Sequence, residues 1–421
     1  MDIHFFPKFA SKICRKNIRI MKHLIIHSIG PITDADINIK QINVIIGPQS
    51  LGKSTVLKIA SYCTWVEKRI ELKQQADEFI ENDGFFTQLV TFHKMEGYFS
   101  SNSSVFYESD CLQFSYSHLE RKFSFHWKEN RWTYRRPKIT YIPAERNLVA
   151  VIPNWFEISL EKNNIRNFMT DWETARRATT SQLEVLNLNV AYRYESASKT
   201  DIVRIQNGDM MSLNHVSSGL QALIPLFVHL KYLNTALYDS EMARKISGDW
   251  ADETFQDILY EELFKKQGRT TAVETVLVDD GKGGKNSTLV RFGRRFGSKQ
   301  YLFSKKEDID DYEKLLNQYL LTDHCEVFLE EPENSLFPPT QMRLTNWLFD
   351  MTIGGKTNTL FIATHSPYVL SALLEKKTDI GLFFNSEEEG NIKVNTASAE
   401  DCQAIYDYGV DAFFNIENLG E

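Results

Sequence analysis

The chain of 421 residues is poor in cysteine, and its five, Cys14, Cys63, Cys111, Cys325 and Cys402, are scattered. None has a CxxC or zinc-ligand spacing, which excludes a disulfide framework and a cysteine-built metal site. The thiols read as reduced and buried, in a cytoplasmic protein. No run of about 18 uncharged apolar residues occurs, so no membrane-crossing helix and no membrane partner are expected. Internal repeats, low-complexity tracts and sustained heptads are absent, which excludes solenoids and long coiled-coil arms. There is no excess of positive charge either. The 48 Lys and Arg face 56 Asp and Glu, for a net charge of −8, so the chain as a whole is not a nucleic-acid coat. Residues 1–20 lack the apolar core of a signal peptide because Lys8, Lys12, Arg15 and Lys16 interrupt it. They read as an extension ahead of a first strand that opens at Met21.

What is present is globular. With 42% hydrophobic and 25% charged residues the chain can bury a core, and its 28 Phe suit several packed sheets. MKHLIIHSIGPI and DADINIK alternate as a hairpin with one buried face, whereas INVIIG is a continuous β-branched run, the mark of a strand buried on both faces. A glycine-rich turn and a helix over about 54–71 follow. Residues 84–107 read as Phe-rich and irregular, 111–134 as two or three antiparallel strands, and KITYIP as a buried strand. Residues 154–190 read as helical, with Trp155, Ile158, Ile165, Phe168 and Leu183 spaced for one face. Residues 202–211 suggest a strand and turn, and 220–237 an apolar helix. CEVFLEEP and TLFIATHSP are further buried strands with a helix between them, and IGLFFNS and IKVNTAS a closing hairpin. The pattern divides the chain into an extension (1–20), a P-loop lobe with an antiparallel β subdomain (21–150), a helical lobe (151–237), a polar insertion (238–320) and a last segment (321–421). The insertion carries the loop DDGKGGKNS and the basic residues Arg291, Arg294, Arg295 and Lys299.

Four motifs carry chemistry. The first is GPQSLGKS, residues 47–54, which matches the P-loop pattern between a buried strand and a helix. Gly47 and Gly52 permit the tight turn, and the loop Gly47, Pro48, Gln49, Ser50, Leu51, Gly52, Lys53, Ser54 and Thr55 turns its backbone N–H groups, which all but Pro48 possess, towards phosphates at a helix N-terminus. Lys53 reaches the β- and γ-phosphates, and the Ser54 hydroxyl takes Mg²⁺. The second is EEPE at the end of an apolar strand. Glu330 is the metal-side carboxylate and Glu331 the general base, because adjacent acids at a strand's C-terminal end sit where α/β sheets hold their ligands. The third is THSP, whose His365 lies within reach of a γ-phosphate and an attacking water. The fourth is SSGLQ, where Ser217, Ser218 and Gly219 open an apolar helix as an anion-binding start; taken alone, an ordinary serine N-cap is the better reading.

In their chain order, P-loop, SSGLQ, EEPE and THSP, the four motifs resemble an ABC-type ATPase head of the chromosome-maintenance-like and OLD-like branch. The resemblance implies an α/β fold: a P-loop head with a mixed β-sheet, flanking helices, an antiparallel β subdomain and a mixed helical/β insertion. It implies ATP and Mg²⁺ as ligands and ATP hydrolysis as the activity. It also implies a homo-oligomer in which Ser218 and Gly219 of one subunit close on the γ-phosphate held by another. SSGLQ has Leu220 where transporters have a second glycine, and there is no clear Q-loop. YIPAERN, residues 141–147, stands in its place, with Glu145 or Arg146 as substitutes, while a structural ion pair is an equal reading for Arg146. IPAER, EEPENSLFP and THSPY are similar to the ATPase subunits of bacterial anti-phage defence systems, the AriA-like subunits of PARIS among them. That resemblance implies a separate effector, of the TOPRIM nuclease or toxin type, and a phage-encoded trigger protein. The stretch after His365 is too short to hold a TOPRIM domain. The alternative is a DNA-repair or chromosome-associated ATPase that binds DNA directly through the basic runs at 131–138 and 291–299, although solvated hairpin faces explain such runs more simply. A GTPase would carry the base-reading NKxD motif, and nothing beyond the P-loop suggests a kinase.

Overall fold

The computed structural model describes residues 22–152, 154–157, 160–239, 253–270, 274–279, 285–290, 292–296, 299–355, 357–376, 379–388, 390–398, 400, 401, 403 and 405. The extension, Met21, Cys14, Cys402, Ile158, Arg291 and the glycine loop 281–284 lie outside the described residues.

Strands β1 (Lys22–Ile29) and β2 (Ile32–Ile39) pair antiparallel, as their alternation requires. Leu24, Ile26 and Ile29 share one buried cluster with Ile32, Ala35 and Ile37. A bulge against the strand Phe99–Glu108 on its other side, with Ser28 at φ 51°, returns Ile29 to the buried face. All five residues of β3 (Ile42–Ile46) are buried; Ile42, Val44 and Ile46 point into one core and Ile45 into the other. Helix α1 (Lys53–Lys73) follows the P-loop and buries Val56, Leu57, Ala60, Cys63 and Ile70.

Residues 84–107 are regular, contrary to the sequence reading. They form helix α2 (Gly84–His93), which buries Phe85 and Leu89 one turn apart, and most of strand β4 (Phe99–Glu108). Density of Phe masked the helical spacing. Strands β5 (Leu112–Ser117) and β6 (Lys122–Trp127) continue the antiparallel part. β7 (Pro137–Ile142) is an edge strand, parallel to a later one, with Lys138 and Ile139 only partly buried. Among the described residues of 154–190, helix α3 (Asn164–Ala178) is the only long helix; Leu183 belongs to β8 (Leu183–Glu184). With β9 (Ala191–Glu195), β10 (Thr200–Arg204) and β11 (Met210–Ser212) it forms a four-stranded sheet inside the lobe read as helical. Tyr192 and Tyr194, buried at a spacing of two, carry the strand signal that the apolar helical spacing obscured. Helix α4 (Ser218–Asn234) follows.

The insertion contributes α5 (Glu253–Tyr260), the hairpins β12 (Glu274–Asp279) with β13 (Lys285–Val290) and β14 (Phe292–Phe296) with β15 (Lys299–Phe303), and α6 (Lys306–Leu320). It has a small aromatic core of its own, Phe255, Phe264, Tyr301, Phe303, Tyr312 and Tyr319, seated on Cys111 and Tyr134 of the main body. Each such buried ring contributes roughly 2 kcal/mol. Strand β16 (His324–Glu330), helix α7 (Pro338–Gly354), strand β17 (Thr357–Ala363), helix α8 (Pro367–Leu374) and the hairpin β18 (Gly381–Glu388) with β19 (Asn391–Thr396) complete the chain.

The main sheet has 11 strands in the order β6-β5-β4-β1-β2-β19-β18-β3-β17-β16-β7. Its half from β18 to β7 is parallel, and its half from β6 to β2 antiparallel. α1 and α2 pack on one face, and α3, α4, α7 and α8 on the other. This is the mixed α/β head, antiparallel β subdomain and mixed insertion expected from the sequence. Cys63, Cys111 and Cys325 are buried free thiols, also as expected. Among the described residues no helix is long and apolar enough to cross a membrane.

Candidate functional site

The parallel half of the sheet brings three strand ends together. β3 ends before the P-loop, its neighbour β17 ends before His365, and β16 beyond it ends in Glu330, with Glu331 next in the chain. The loop is shaped by backbone freedom. Gly47 (φ 153°), Ser50 (φ 66°) and Gly52 (φ 86°) lie in the left-handed half of conformational space. Contact also requires the glycines. A Cβ on Gly52 would stand 2.4 Å from Ile32 Cδ1, and one on Gly47 would stand 3.0 Å from the Asn385 carbonyl oxygen. The Lys53 ammonium donates to the carbonyls of Gly47 (2.9 Å) and Pro48 (2.6 Å), and buried Asn385 donates from its side chain to Leu51 O.

One cavity of about 350 Å³ lies over this loop, lined by Gln49, Ser50, Gly52, Lys53, Ser54 and Thr55 and, from the other strands, by Glu331 and His365. Gly47, Pro48 and Leu51 frame the loop behind it. The two acids part company. Glu330 turns inward, accepting from the Tyr141 hydroxyl (2.5 Å) and the Ala144 N–H (3.1 Å), while Glu331 faces the cavity. Glu331 has φ 42°, a conformation that costs a non-glycine residue roughly 1–3 kcal/mol and is held by surrounding structure. Ser217 and Ser218 are exposed at the start of α4, outside the cavity of their own chain. Gly219 there packs on the turn that follows the acids.

The electrostatics follow from burial. It pulls the Lys53 ammonium down to about 8 against the attraction of Glu331 and Glu333. Glu331 is raised above the usual carboxylate range by burial and by the neighbouring charges of Glu333 and Glu330, against Arg146 and Lys53. His365 is lowered by burial and by Lys53, with a hydrogen bond to the Gly47 backbone opposing, which favours a neutral imidazole.

Several contributors are not evident from motif reading. Glu333, the third acid of EEPE, accepts the His365 backbone N–H at 2.7 Å and so fixes that loop; its spacing from Glu331 was the available signal. Tyr98 and Pro31 line the cavity beside the P-loop, brought there when Tyr98 O accepts the Gly30 N–H at 2.7 Å. No local pattern marks them. Among the described residues Arg146 makes no ion pair. It is buried, and its guanidinium donates to backbone carbonyls, those of Glu330 and Glu331 among them, whereas Glu145 is exposed. Among the described residues no group of three or more His, Cys, Asp or Glu could hold a metal by itself.

No family model matches the sequence. No curated protein matches it. Among solved structures it is similar to the SMC head domain from Thermotoga maritima, at 11% identity and TM-score 0.39 over 91% of this chain and 100% of that one. An SMC head bound to the C-terminal winged-helix domain of ScpA matches at 12% identity and TM-score 0.41, over 91% and 99% of the two chains. The recombination mediator protein RecF matches at 8% identity and TM-score 0.28, over 89% and 98%. Likeness at this level assigns no function, and the site stands on its own geometry.

Proposed function

We propose that the chain is an ABC-type ATPase that binds and hydrolyses ATP with Mg²⁺ and acts as the sensor of a bacterial anti-phage system, controlling a separate nuclease or toxin. The observation that carries the ATPase reading is the convergence of Lys53, Ser54, Glu331 and His365, from three strand ends, on one cavity over a glycine-shaped loop. Loop N–H groups and Lys53 bind the phosphates. Glu331, with its raised proton affinity, takes the proton of the attacking water, and neutral His365 holds that water or the γ-phosphate by hydrogen bonding. Ser54 would hold Mg²⁺ directly and Glu330, which does not line the cavity, would do so through water; Glu330 keeps lone pairs free beyond the two donors it accepts. The bound ion supplies Lewis-acid stabilisation of charge on the phosphate oxygens. Tyr98 offers a flat ring at the cavity wall for a nucleobase.

Exposed Ser217 and Ser218, outside their own cavity, fit a site completed by a second copy. The defence role is supported by the likeness of IPAER, EEPENSLFP and THSPY to that group, and the insertion, with its separate core, is the part we assign to partner or trigger recognition. The alternative, direct DNA binding, draws on the basic hairpin β14–β15. There Lys299 pairs with Asp257, and Arg294 faces Glu313 at 3.9 Å, so part of its charge is met within the chain.

The test is ATP turnover in Mg²⁺ buffer. Lys53→Ala is expected to lose nucleotide binding, and Glu331→Gln to keep binding and lose most turnover. Wild-type turnover in Glu331→Gln overturns the base assignment. Salt-dependent DNA binding that Arg294→Glu/Arg295→Glu abolishes favours the alternative. Capture of a co-encoded nuclease, lost in that variant with basal ATPase intact, favours the sensor.

A further inference from the structure

We propose that Arg146 is a positioning residue for hydrolysis, a carbonyl clamp that ties the turn carrying Glu331 to the helix that opens with Ser218 and Gly219. The inference rests on the ATPase reading above and adds how its two distant motifs move together.

Arg146 is 1% exposed, and each hydrogen bond of its guanidinium ends on a backbone oxygen. Nε donates to Ala222 O at 3.2 Å, Nη1 to Glu330 O at 2.9 Å and Pro143 O at 3.5 Å, and Nη2 to Glu331 O at 2.8 Å and Pro332 O at 3.4 Å. Three consecutive carbonyls of the acidic turn and one carbonyl of α4 thus meet on one planar group. Only arginine offers five N–H donors in a rigid fork; lysine has a point charge and cannot span that set. A buried cation is costly, and an apolar side chain would fill the volume without that cost. The geometry explains the choice. The turn must hold Glu331 at positive φ, a conformation that persists only where surrounding contacts over-determine it. The Glu331 N–H is fixed to Ala363 O at 2.8 Å, and Arg146 fixes its carbonyl, so the peptide groups on both sides of the side chain are anchored.

The other end of the clamp is Ala222, one turn into α4 from Ser218. The same helix start touches the turn a second time, where Gly219 packs against Ser335. Two contacts hold the pair of elements as one body. A displacement of Ser218 and Gly219 by a partner copy reaches Glu331 through Arg146, and phosphate-driven settling of Glu331 reaches the helix start by the same route. The surrounding acids keep the cation charged: burial lowers Arg146 to about 10, while Glu333, Glu331 and Glu330 oppose that shift.

The experiment compares Arg146→Lys and Arg146→Met with the wild type in ATP binding, KM, kcat and thermal melting. The expected result is near-wild-type ATP affinity and KM with kcat lower by about 100-fold, the size of effect that misplacement by about 1 Å produces. Lysine is expected not to rescue, because charge without the fork leaves carbonyls unpaired. In the Glu331→Gln background Arg146→Lys is expected to cost nothing further, since the clamp acts through that side chain. Full turnover in Arg146→Lys overturns the proposal, as does a raised KM at unchanged kcat or an additive loss in the double variant. If Arg146→Met does not fold, Arg146→Lys carries the test. If Arg146→Lys is also unfolded at the assay temperature, the residue is a structural plug and the proposal falls. A wild type that neither binds nor hydrolyses ATP, or a Glu331→Gln protein with full turnover, instead sinks the reading beneath it, and both are measured first.

Discussion

A Cβ on Gly219 would stand 2.9 Å from the Ser335 carbonyl oxygen, closer than such atoms pack. The start of α4 and the turn after the acids therefore meet backbone to backbone, and the contact admits no side chain. Gly219→Val is expected to push the two apart. Because the P-loop is built from other residues, ATP affinity should hold while turnover falls at least 10-fold. Equilibrium binding beside steady-state turnover checks this, and unchanged turnover would show that the contact does not matter to the reaction.

Ser217 and Ser218 are exposed and stand outside the cavity that holds Lys53. If a second copy completes each site, Ser218→Arg and Lys53→Ala proteins, each inactive alone, should regain part of the wild-type rate when mixed. One interface of the mixed pair then keeps an intact P-loop and an intact helix start. The readout is turnover in mixed oligomers verified by differential tagging. Silence in such oligomers would place the serines outside the reaction.

How far these features could be read from the sequence follows from where their causes lie. The P-loop, EEPE and THSP were readable because each is a short string with its own physical requirement, and the apolar runs before them marked the parallel strands. The hairpin 22–39 was readable because period-2 alternation survives wherever one face is buried. Helix α2 was missed because Phe86, Val90 and Phe92 surround its buried positions Phe85 and Leu89 with other apolar residues. Strands β8 and β9 were missed because their burial depends on a sheet partner, not on local pattern, whereas the strand and turn read at 202–211 correspond to β10 and β11. Tyr98 could not be placed at all, and Arg146 only as one of two Q-loop substitutes or as an ion pair. Tyr98 reaches the cavity through a backbone bond to Gly30, far off in sequence, and Arg146 is defined by carbonyls contributed from three segments.

Tyr98 gives a test of how the cavity reads its ligand. It lines the cavity together with Gln49, Ser50 and Thr55, its ring lies over Gly30, and stacking on a base is worth about 1–3 kcal/mol. Tyr98→Ala is expected to weaken ATP binding about 10-fold and leave inorganic triphosphate binding unchanged, because only the base loses a partner. Tyr98→Phe should bind ATP as the wild type does. Equal weakening of both ligands by Tyr98→Ala would mean that the ring supports the loop and not the base.

His93 links the fold to pH. It is buried at the end of α2 among the rings of Tyr62, Phe92 and Tyr141, and neither ring nitrogen has a hydrogen-bond partner. Burial, with the nearby Lys58 charge adding to it, lowers its pKa from 6.5 to about 3. The unfolded chain therefore binds a proton below pH 6.5 that the folded chain refuses. The stability that depends on neutral His93 is complete above pH 6.5 and is lost progressively as the pH falls towards 3. At pH 5 the loss is about 2 kcal/mol, from roughly 1.4 kcal/mol per pH unit. His229, lowered to about 4 by burial, acts in the same direction, so the effect of His93 is read as a difference between proteins. Denaturant unfolding of wild type and His93→Leu at pH 7.5, 6 and 5 should show a stability gap that moves in favour of the variant by about 2 kcal/mol across the series. A gap that stays constant with pH would mean that His93 is protonated, or reaches water, in the folded protein.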